Sequence, residues 1–403
     1  MFIPRTLTKQ LEKYYGSKEI IAVVGPRQSG KTTLLKKFLE SKEDVCHITF
    51  EDERAKRLFQ EDIDIFIGKY VEPYKTLFID ELQYAEKAGK KLKYIYDTQD
   101  TKLIVSGSSA IDITINSLSY LAGRILHFEL YPLSFHEVIK YKHNISSYNF
   151  GQATVNMLNK DLDDFILYGS YPAVKIRKEE DEKQKVLNSL FQTLVKRDIR
   201  RYFDVKDDSF IKLMEYLSLH NARLLNDSKV SRNTNISRKK VKDHITILEK
   251  AYIVKRIKPF YKNKKKEVVK HPEIFFIDTG LKNAIMKTYA KNQLYEGYNY
   301  ESYVFSELIK YGHSPHFWRS KNKAEVDIVV RKQDQPIPIE VKTNLKSNKV
   351  GKSLHSFINR YSPEKAFILS RTHEDKKIVK GTPVHFLPLV KTKKVSDMIK
   401  KNP

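Results

Sequence analysis

The sequence predicts an α/β protein whose N-terminal part is built on a parallel sheet. The apolar run Ile20 to Val24 leads directly into the glycine-containing segment 25–33. A second apolar run ends in Asp80 and Glu81, and a third ends at Ser106. Apolar strands with polar residues at their carboxyl ends are typical of parallel sheets that helices cover and that bind ligands at that edge.

The first of these segments, GPRQSGKTT, has the spacing Gly, four residues, Gly-Lys-Thr. Its glycines allow a tight loop whose N–H groups point at an anion, and the helix that follows directs its N-terminus at the same place. A lysine near the terminal phosphates and a threonine hydroxyl for Mg²⁺ complete a phosphate-binding loop, although a chance turn is the alternative. The predicted nucleotide-binding residues are Gly25, Pro26, Arg27, Gln28, Ser29, Gly30, Lys31, Thr32 and Thr33.

The polar ends of the later strands supply candidates for the chemistry. Asp80 can hold Mg²⁺ through water, and Glu81 can polarise an attacking water as general base. Ser106 can touch the γ-phosphate or that water, or it can cap the next helix. Arg124 can neutralise charge that develops during phosphoryl transfer, or it can be a surface arginine.

These motifs resemble the AAA-type ATPases of archaea and bacteria that carry a C-terminal domain of unknown function. The resemblance rests on the segments GPRQSGKTTLL, LFIDELQ, VSGSSA and LAGRILHFELYPLSF. It implies a P-loop NTPase sheet of AAA-like strand order 5-1-4-3-2 and an ATP–Mg²⁺ site. In that site Lys31 binds phosphate, Thr32 and Asp80 hold the metal, and Glu81 is the base. Arg124 matches a family arginine that acts either in its own subunit or in a neighbouring one.

The middle of the chain resembles a winged helix-turn-helix. Residues 209–219 place apolar side chains on one helical face, and Ser237 can cap a helix that carries Arg238, Lys239 and Lys242 away from its apolar side. The segment 254–270 holds eight basic residues against one acid. Such a module binds nucleic acid through a helix in the major groove, but helix pairs of this kind also serve as protein-interaction modules.

Two predicted strands in the C-terminal part carry Asp327 and the pair Glu340 and Lys342, and these side chains converge if the strands pair. This arrangement resembles the PD-(D/E)xK nuclease fold. Two carboxylates can hold a divalent metal, Lys342 can activate a water, and Glu301 can complete the ligand set. The predicted metal ligands of this second site are therefore Glu301, Asp327 and Glu340. The alternative is an amphipathic hairpin with a structural ion pair.

Composition sets the class of partner. Lys and Arg total 74 against 49 Asp and Glu, a net charge of +25, which suits a polyanion such as nucleic acid. The single cysteine excludes an intrachain disulfide and fits a reducing compartment. We find neither a signal peptide nor a membrane-spanning run, so the sequence predicts a cytoplasmic protein without a membrane partner.

We therefore expect an Mg²⁺-dependent ATPase with an ATPase domain (1–165), a helical extension (166–205), a winged-helix domain (206–270) and a nuclease-like domain (271–403). The extension includes a basic cluster at 196–201. ATP hydrolysis would be coupled to nucleic acid, with DNA favoured over RNA. The alternatives are a metal-dependent nuclease with a regulatory ATP site and an ATP-dependent switch that binds a protein partner; a homo-oligomer is compatible with each.

Overall fold

The computed structural model describes residues 2–108, 118–194, 199, 208–262, 267, 270–290, 297–320, 322–333, 335–345 and 347–401. Two compact units divide the chain. The first comprises Met1–Leu133 together with Lys250–Tyr252, and the second comprises Ser134–Glu249 and Ile253–Pro403. The predicted division into four domains stays a prediction.

The first unit contains a five-stranded sheet in which all neighbouring strands are parallel. Its strand order is β2-β3-β4-β1-β5, which is the predicted order 5-1-4-3-2 read from the opposite edge. The α/β class and this topology are thereby confirmed. The strands are β1 (Ile20–Val24), β2 (Val45–Thr49), β3 (Thr76–Asp80), β4 (Lys102–Gly107) and β5 (Ile125–Glu129).

Helices connect these strands and bury their apolar faces on the sheet. The core on one face joins Ile21, Val23 and Phe128 of the strands to Leu34 and Phe38 of the helix after β1. Their spacing of four residues places these two helical side chains on one face. The helices are α1 (Thr8–Tyr15), α2 (Lys31–Leu39), α3 (Glu53–Glu61), α4 (Ile63–Tyr70) and α5 (Ala88–Thr98).

The second unit begins with helices and a small antiparallel sheet of order β6-β8-β7. The helices α6 to α9 span Phe135–His143, Gln152–Tyr168, Pro172–Lys175 and Glu180–Thr193. After them come α10 (Ser209–Leu219), β6 (Arg223–Leu224), α11 (Asp227–Thr234), α12 (Arg238–Lys250), β7 (Val254–Ile257) and β8 (Glu273–Phe276). The small sheet therefore extends beyond residue 270, where the sequence placed the end of this module.

The turn between α11 and α12 is short and well capped. Asn235 adopts a left-handed conformation with φ of 62°, which ends α11. The Ser237 hydroxyl accepts a hydrogen bond from the Lys240 backbone N–H at 3.4 Å, so the predicted cap is confirmed. The predicted basic cluster at 196–201, apart from Ile199, and the basic run 263–266 lie outside the described residues.

A six-stranded mixed sheet of order β13-β14-β12-β11-β10-β9 forms the rest of the second unit. The predicted β10–β11 hairpin is confirmed, since Ile328 pairs with Ile339 in an antiparallel register. Trp318, Phe357 and Phe386 lie in its core. The strands β9 to β14 span Pro315–Arg319, Glu325–Lys332, Gln335–Val341, Ala366–Ser370, Asp375–Val379 and Thr382–Pro388. The helices α13 to α16 span Thr279–Met286, Gly297–Lys310, Lys352–Tyr361 and Thr392–Lys400.

Within the described ranges, no helix combines the length and the apolar character needed to cross a bilayer.

Candidate nucleotide site

The loop between β1 and α2 requires glycine at both of its ends. Gly25 has φ of 156°, and a Cβ there would lie 2.2 Å from the Leu130 carbonyl oxygen. Gly30 has φ of 95° immediately before α2 begins. Only glycine adopts such conformations without steric cost, so the spacing of the two glycines reflects the backbone path of the loop.

Lys31 is buried and its ammonium group is held against the loop backbone. Its Nζ donates to the carbonyl oxygens of Gly25 and Pro26 at 3.0 and 2.9 Å. Thr32 is half-buried, whereas Thr33 is exposed. Of the six predicted loop residues before Lys31, Gly25, Pro26 and Ser29 are buried and Gln28 is exposed, while Arg27 and Gly30 are intermediate.

The carboxyl end of β3 brings Asp80, Glu81 and Ser106 together. The Ser106 hydroxyl on β4 donates to Asp80 Oδ1, and the Glu81 backbone N–H donates to the same oxygen at 3.1 Å. Burial raises the pKa of Glu81, the charge of Lys31 opposes that rise, and Asp80 adds to it. The carboxyl group of Glu81 is therefore influenced by the charges of both Asp80 and the loop lysine.

Gln83 joins the ends of β3 and β4 and was not given a role from the sequence. Its side-chain amide nitrogen donates to Glu81 Oε2, and its amide oxygen accepts the Ser108 backbone N–H at 3.3 Å. The signal was available in the LFIDELQ segment, where the glutamine follows the acid pair by two residues. Gln83 fixes the carboxylate of Glu81 relative to β4.

Arg124 lies at the opposite edge of the sheet from the loop. Its carbonyl oxygen accepts from the N–H of Ile20, which begins β1, whereas the loop follows the end of β1. Five residues of β1 separate Ile20 from the start of the loop, which is a distance of about 16 Å along the strand. The guanidinium is engaged with Asp97 at 3.0 Å. The structure thus does not bring Arg124 to the loop of its own subunit, and a role in a neighbouring subunit stays a prediction.

Arg5 is a second residue that sequence reasoning missed. It is buried, and its guanidinium donates to the carbonyl oxygens of Ser29 in the loop and Tyr131 after β5. These partners are 24 and 126 residues away along the chain, so no local pattern could have indicated them.

The donors at this edge fit ATP with Mg²⁺. Among the described residues, the buried Ser29 hydroxyl has no hydrogen-bond partner within the protein, as a group intended for a ligand would. Lys31 and the N-terminus of α2 suit phosphate oxygens, and Thr32 and Asp80 supply the oxygen atoms that Mg²⁺ prefers. Magnesium, when bound, neutralises charge on the β- and γ-phosphate oxygens.

The predicted residues of the nuclease-like site also lie near one another, in the second unit. Asp327 Oδ2 accepts the Val341 backbone N–H at 2.7 Å, and Lys342 Nζ lies 2.8 Å from Glu340 Oε1. Burial raises the pKa of Glu301 to about 8 and that of Asp327 to about 6. The charge of Asp327 is the second cause of the raised pKa of Glu301.

Two observations bear on the metal at this second site. In the part of the chain that the structure describes, no set of three or more His, Cys, Asp or Glu side chains is arranged to hold a metal ion. Glu340 Oε2, however, is buried without a hydrogen-bond partner among those residues. Glu273 and Glu325 both contact Arg319, at 3.2 and 2.6 Å, and sequence reasoning gave these three residues no role.

The glycine loop, the acid pair and the parallel sheet together define the first unit as a P-loop ATPase-like domain. Residues 17–139 match the family described as AAA domain. Two further segments, 159–292 and 296–390, match families described as domains of unknown function, DUF8612 and DUF4143.

Two relatives and one solved structure are similar to this chain to different extents. An uncharacterised protein of Haemophilus influenzae is 26% identical over 363 residues, which covers 84% of this chain and 86% of that protein. An uncharacterised protein of Methanocaldococcus jannaschii is 24% identical over 340 residues, or 81% of this chain and 75% of its own length. The solved Walker-type ATPase of Pyrococcus abyssi is 16% identical, with a TM-score of 0.47 over 71% of this chain and 96% of that structure.

Proposed function

We propose that this chain is an Mg²⁺-dependent ATPase that couples hydrolysis to the binding or remodelling of nucleic acid. One observation carries the ATPase part. Lys31, which follows β1, and the pair Asp80 and Glu81, at the end of β3, all lie at the carboxyl edge where parallel sheets bind ligands.

Each residue at this edge has a role in the proposed reaction. Lys31 neutralises phosphate charge. Asp80, whose carboxylate accepts a hydrogen bond from Ser106, would hold the metal through a water molecule. Glu81 polarises the attacking water, and its raised pKa makes it a stronger base than an exposed carboxylate. Gln83 orients the carboxylate of Glu81.

Substitution of Lys31 tests this assignment. Lys31→Ala should abolish magnesium-dependent ATP hydrolysis, because the charge beside the transferred phosphate is lost. Lys37→Ala, an exposed lysine of the same helix, should keep the wild-type rate. Persistent turnover in the Lys31 variant would reject the site.

The nucleic-acid part is supported by the order of elements from α10 to β8. The helices α10, α11 and α12, with a short turn between the last two, and the antiparallel sheet in which β8 lies between β6 and β7 fit a winged helix-turn-helix. Arg238, Lys239, Lys240 and Lys242 are exposed on α12. A helix enters the major groove of B-form DNA, whereas the A-form groove of RNA is too narrow, so we favour duplex DNA.

The ATPase rate with and without duplex DNA or RNA tests the proposed link between the two activities. Stimulation by DNA that weakens steeply as salt rises would support it, because bound lysines release counterions from phosphates. A rate that neither nucleic acid changes would favour the protein-interaction switch instead.

A second candidate, a metal-dependent nuclease regulated by ATP, is favoured by the unpartnered Glu340 oxygen beside Asp327. The pair Glu340–Lys342 equally fits the structural ion pair that the sequence left open. Wild-type protein should then cut DNA or RNA in Mg²⁺ or Mn²⁺, and Asp327→Ala should lose cleavage while it retains ATP binding. Absence of cutting by the wild type under both metals would reject this candidate.

A further inference from the structure

The guanidinium of Arg5 connects two segments that are far apart in the sequence. Its Nη1 donates to the Ser29 carbonyl oxygen at 2.8 Å, and its Nη2 donates to the Tyr131 carbonyl oxygen at 2.6 Å. The residue is 8% exposed. Hydrogen bonds from a charged donor are stronger than those between neutral groups, and they strengthen where water is excluded. Arg5 therefore ties the phosphate loop firmly to the segment that follows β5.

The segment that follows β5 also contacts the start of the phosphate loop. Gly25 approaches the Leu130 carbonyl so closely that a Cβ would lie 2.2 Å from its oxygen, and the Leu130 N–H donates to Val24 at 2.8 Å. The loop thus meets residues 130 and 131 both at Gly25 and, through Arg5, at Ser29. With both positions fixed against one segment, the loop has little freedom to open.

We propose that Arg5 is a positioning residue of the nucleotide site, which holds the phosphate loop in the form that binds a triphosphate. This inference rests on the proposed ATPase function. A loop that must be ordered on binding weakens affinity by the cost of that ordering, and a brace in the free protein removes the cost. Arginine suits the task because its planar group presents several N–H donors that reach two carbonyls at once, which the single ammonium of lysine reproduces poorly.

Loss of the Arg5 hydrogen bonds should weaken ATP binding and leave the rate of the chemical step unchanged. Arg5 touches the loop backbone and is not proposed to act on the attacking water. Interactions of the loop with phosphate oxygens exist in both the ground state and the transition state, so loosening the loop should raise KM and leave kcat nearly unchanged. A loss of about tenfold in ATP affinity corresponds to about 1.4 kcal/mol, close to the lower end of what one hydrogen bond to a charged group contributes.

Two substitutions of Arg5 and one matched control test the proposal. Arg5→Met removes the donors but keeps the apolar stem, and Arg5→Lys keeps the charge with a less suitable geometry. Lys102→Met is the control, because Lys102 is a partly buried cation of the same unit that also donates to backbone carbonyls. Its partners are Tyr14, Ser17 and Glu19 at 3.3, 2.5 and 2.7 Å, at the amino edge of the sheet.

Binding of ATP with Mg²⁺ is measured by calorimetry on the full chain, with circular dichroism to verify folding, and turnover gives KM and kcat. We expect Arg5→Met to bind about tenfold more weakly, Arg5→Lys to be intermediate, and Lys102→Met to bind like the wild type. If Arg5→Met does not fold, the ATP affinity of Arg5→Lys tests the proposal. Wild-type affinity in that variant would overturn it.

These measurements distinguish failure of the proposed role of Arg5 from failure of the proposed ATPase function. Wild-type affinity in a folded Arg5→Met protein overturns the role of Arg5 and leaves the ATP site intact. A fall in kcat at unchanged KM also overturns it, because the residue would then act on the chemical step. If the wild-type chain binds no ATP in Mg²⁺, the proposed function fails, and the role of Arg5 fails with it.

Discussion

At the scale of single residues, Glu81 is the side chain whose surroundings are most specialised. It adopts a left-handed backbone conformation with φ of 55°, which is uncommon for a residue with a side chain. Burial raises the pKa of its carboxyl group, while Lys31 and Gln83 oppose the rise. A strained, half-buried and hydrogen-bonded carboxylate beside a phosphate-binding lysine is typical of a group that handles protons.

Glu81→Gln should separate ATP binding from hydrolysis. The amide keeps the shape of the side chain but cannot polarise water as a base, so we expect kcat to fall by about a hundredfold or more while ATP affinity stays near the wild-type value. Glu86→Gln changes an exposed acid in the same segment and should have no effect. Turnover of Glu81→Gln at the wild-type rate would exclude Glu81 as the base.

The same scale shows what a sequence reveals about a site. Lys31 and Asp80 could be predicted because each follows a strand within a local pattern, and adjacent parallel strands end at one edge. Arg5 could not be predicted, because its partners depend on where β5 ends in space. Arg124 was proposed to act near the nucleotide, but the parallel register of β5 with β1 puts it at the opposite edge.

At the scale of elements, periodicity predicts helices well and boundaries poorly. The apolar face of α10 was predicted correctly, since Phe210, Leu213, Met214 and Leu217 are all buried. The end of the small sheet was predicted wrongly, because β8 pairs with β6 and β7 across a long connection. Strand pairing over such a distance leaves no periodic signal, whereas the β10–β11 hairpin, with its short turn, was predicted.

If α12 contacts DNA phosphates, neutralising its exposed N-terminal cations should weaken binding. Arg238→Gln with Lys239→Gln should reduce duplex affinity and make the logarithmic salt dependence shallower by about two, since each lost contact releases about one counterion fewer. Fluorescence anisotropy at several salt concentrations measures this slope. A double variant of Lys160 and Lys287, which are exposed on other parts of the second unit, is the control. An unchanged slope would indicate that α12 does not bind phosphates.

At the scale of the whole molecule, α12 continues into residues that belong to the first unit. Tyr252 lies two residues beyond the end of the helix, and its ring meets the ring of Tyr131 edge-on at 5.5 Å. Both phenols donate to Glu129, at 2.9 Å from Tyr131 and 3.3 Å from Tyr252. Because the Tyr131 carbonyl accepts from Arg5, Tyr252 is connected to residues close to the phosphate loop within the first unit.

We therefore expect Tyr252→Ala to reduce the effect of DNA on ATP turnover by several-fold, with the rate without DNA unchanged. Linkage requires that DNA and ATP alter each other's affinity by the same factor, so ATP should likewise lose its influence on DNA binding. Tyr252→Phe, which keeps the ring, should lose less. Full stimulation by DNA in the alanine variant would show that this contact carries no coupling.

The position of β1 in its sheet constrains the order in which a growing chain can assemble. This strand is flanked by β4 and β5, which begin at residues 102 and 125. A ribosome that has released only the first hundred residues has therefore exposed a central strand whose neighbours are still to be made. The sheet of the first unit can therefore close only after Glu129, the last residue of β5, has left the ribosome, and until then β1 is accessible to chaperones that shield apolar segments.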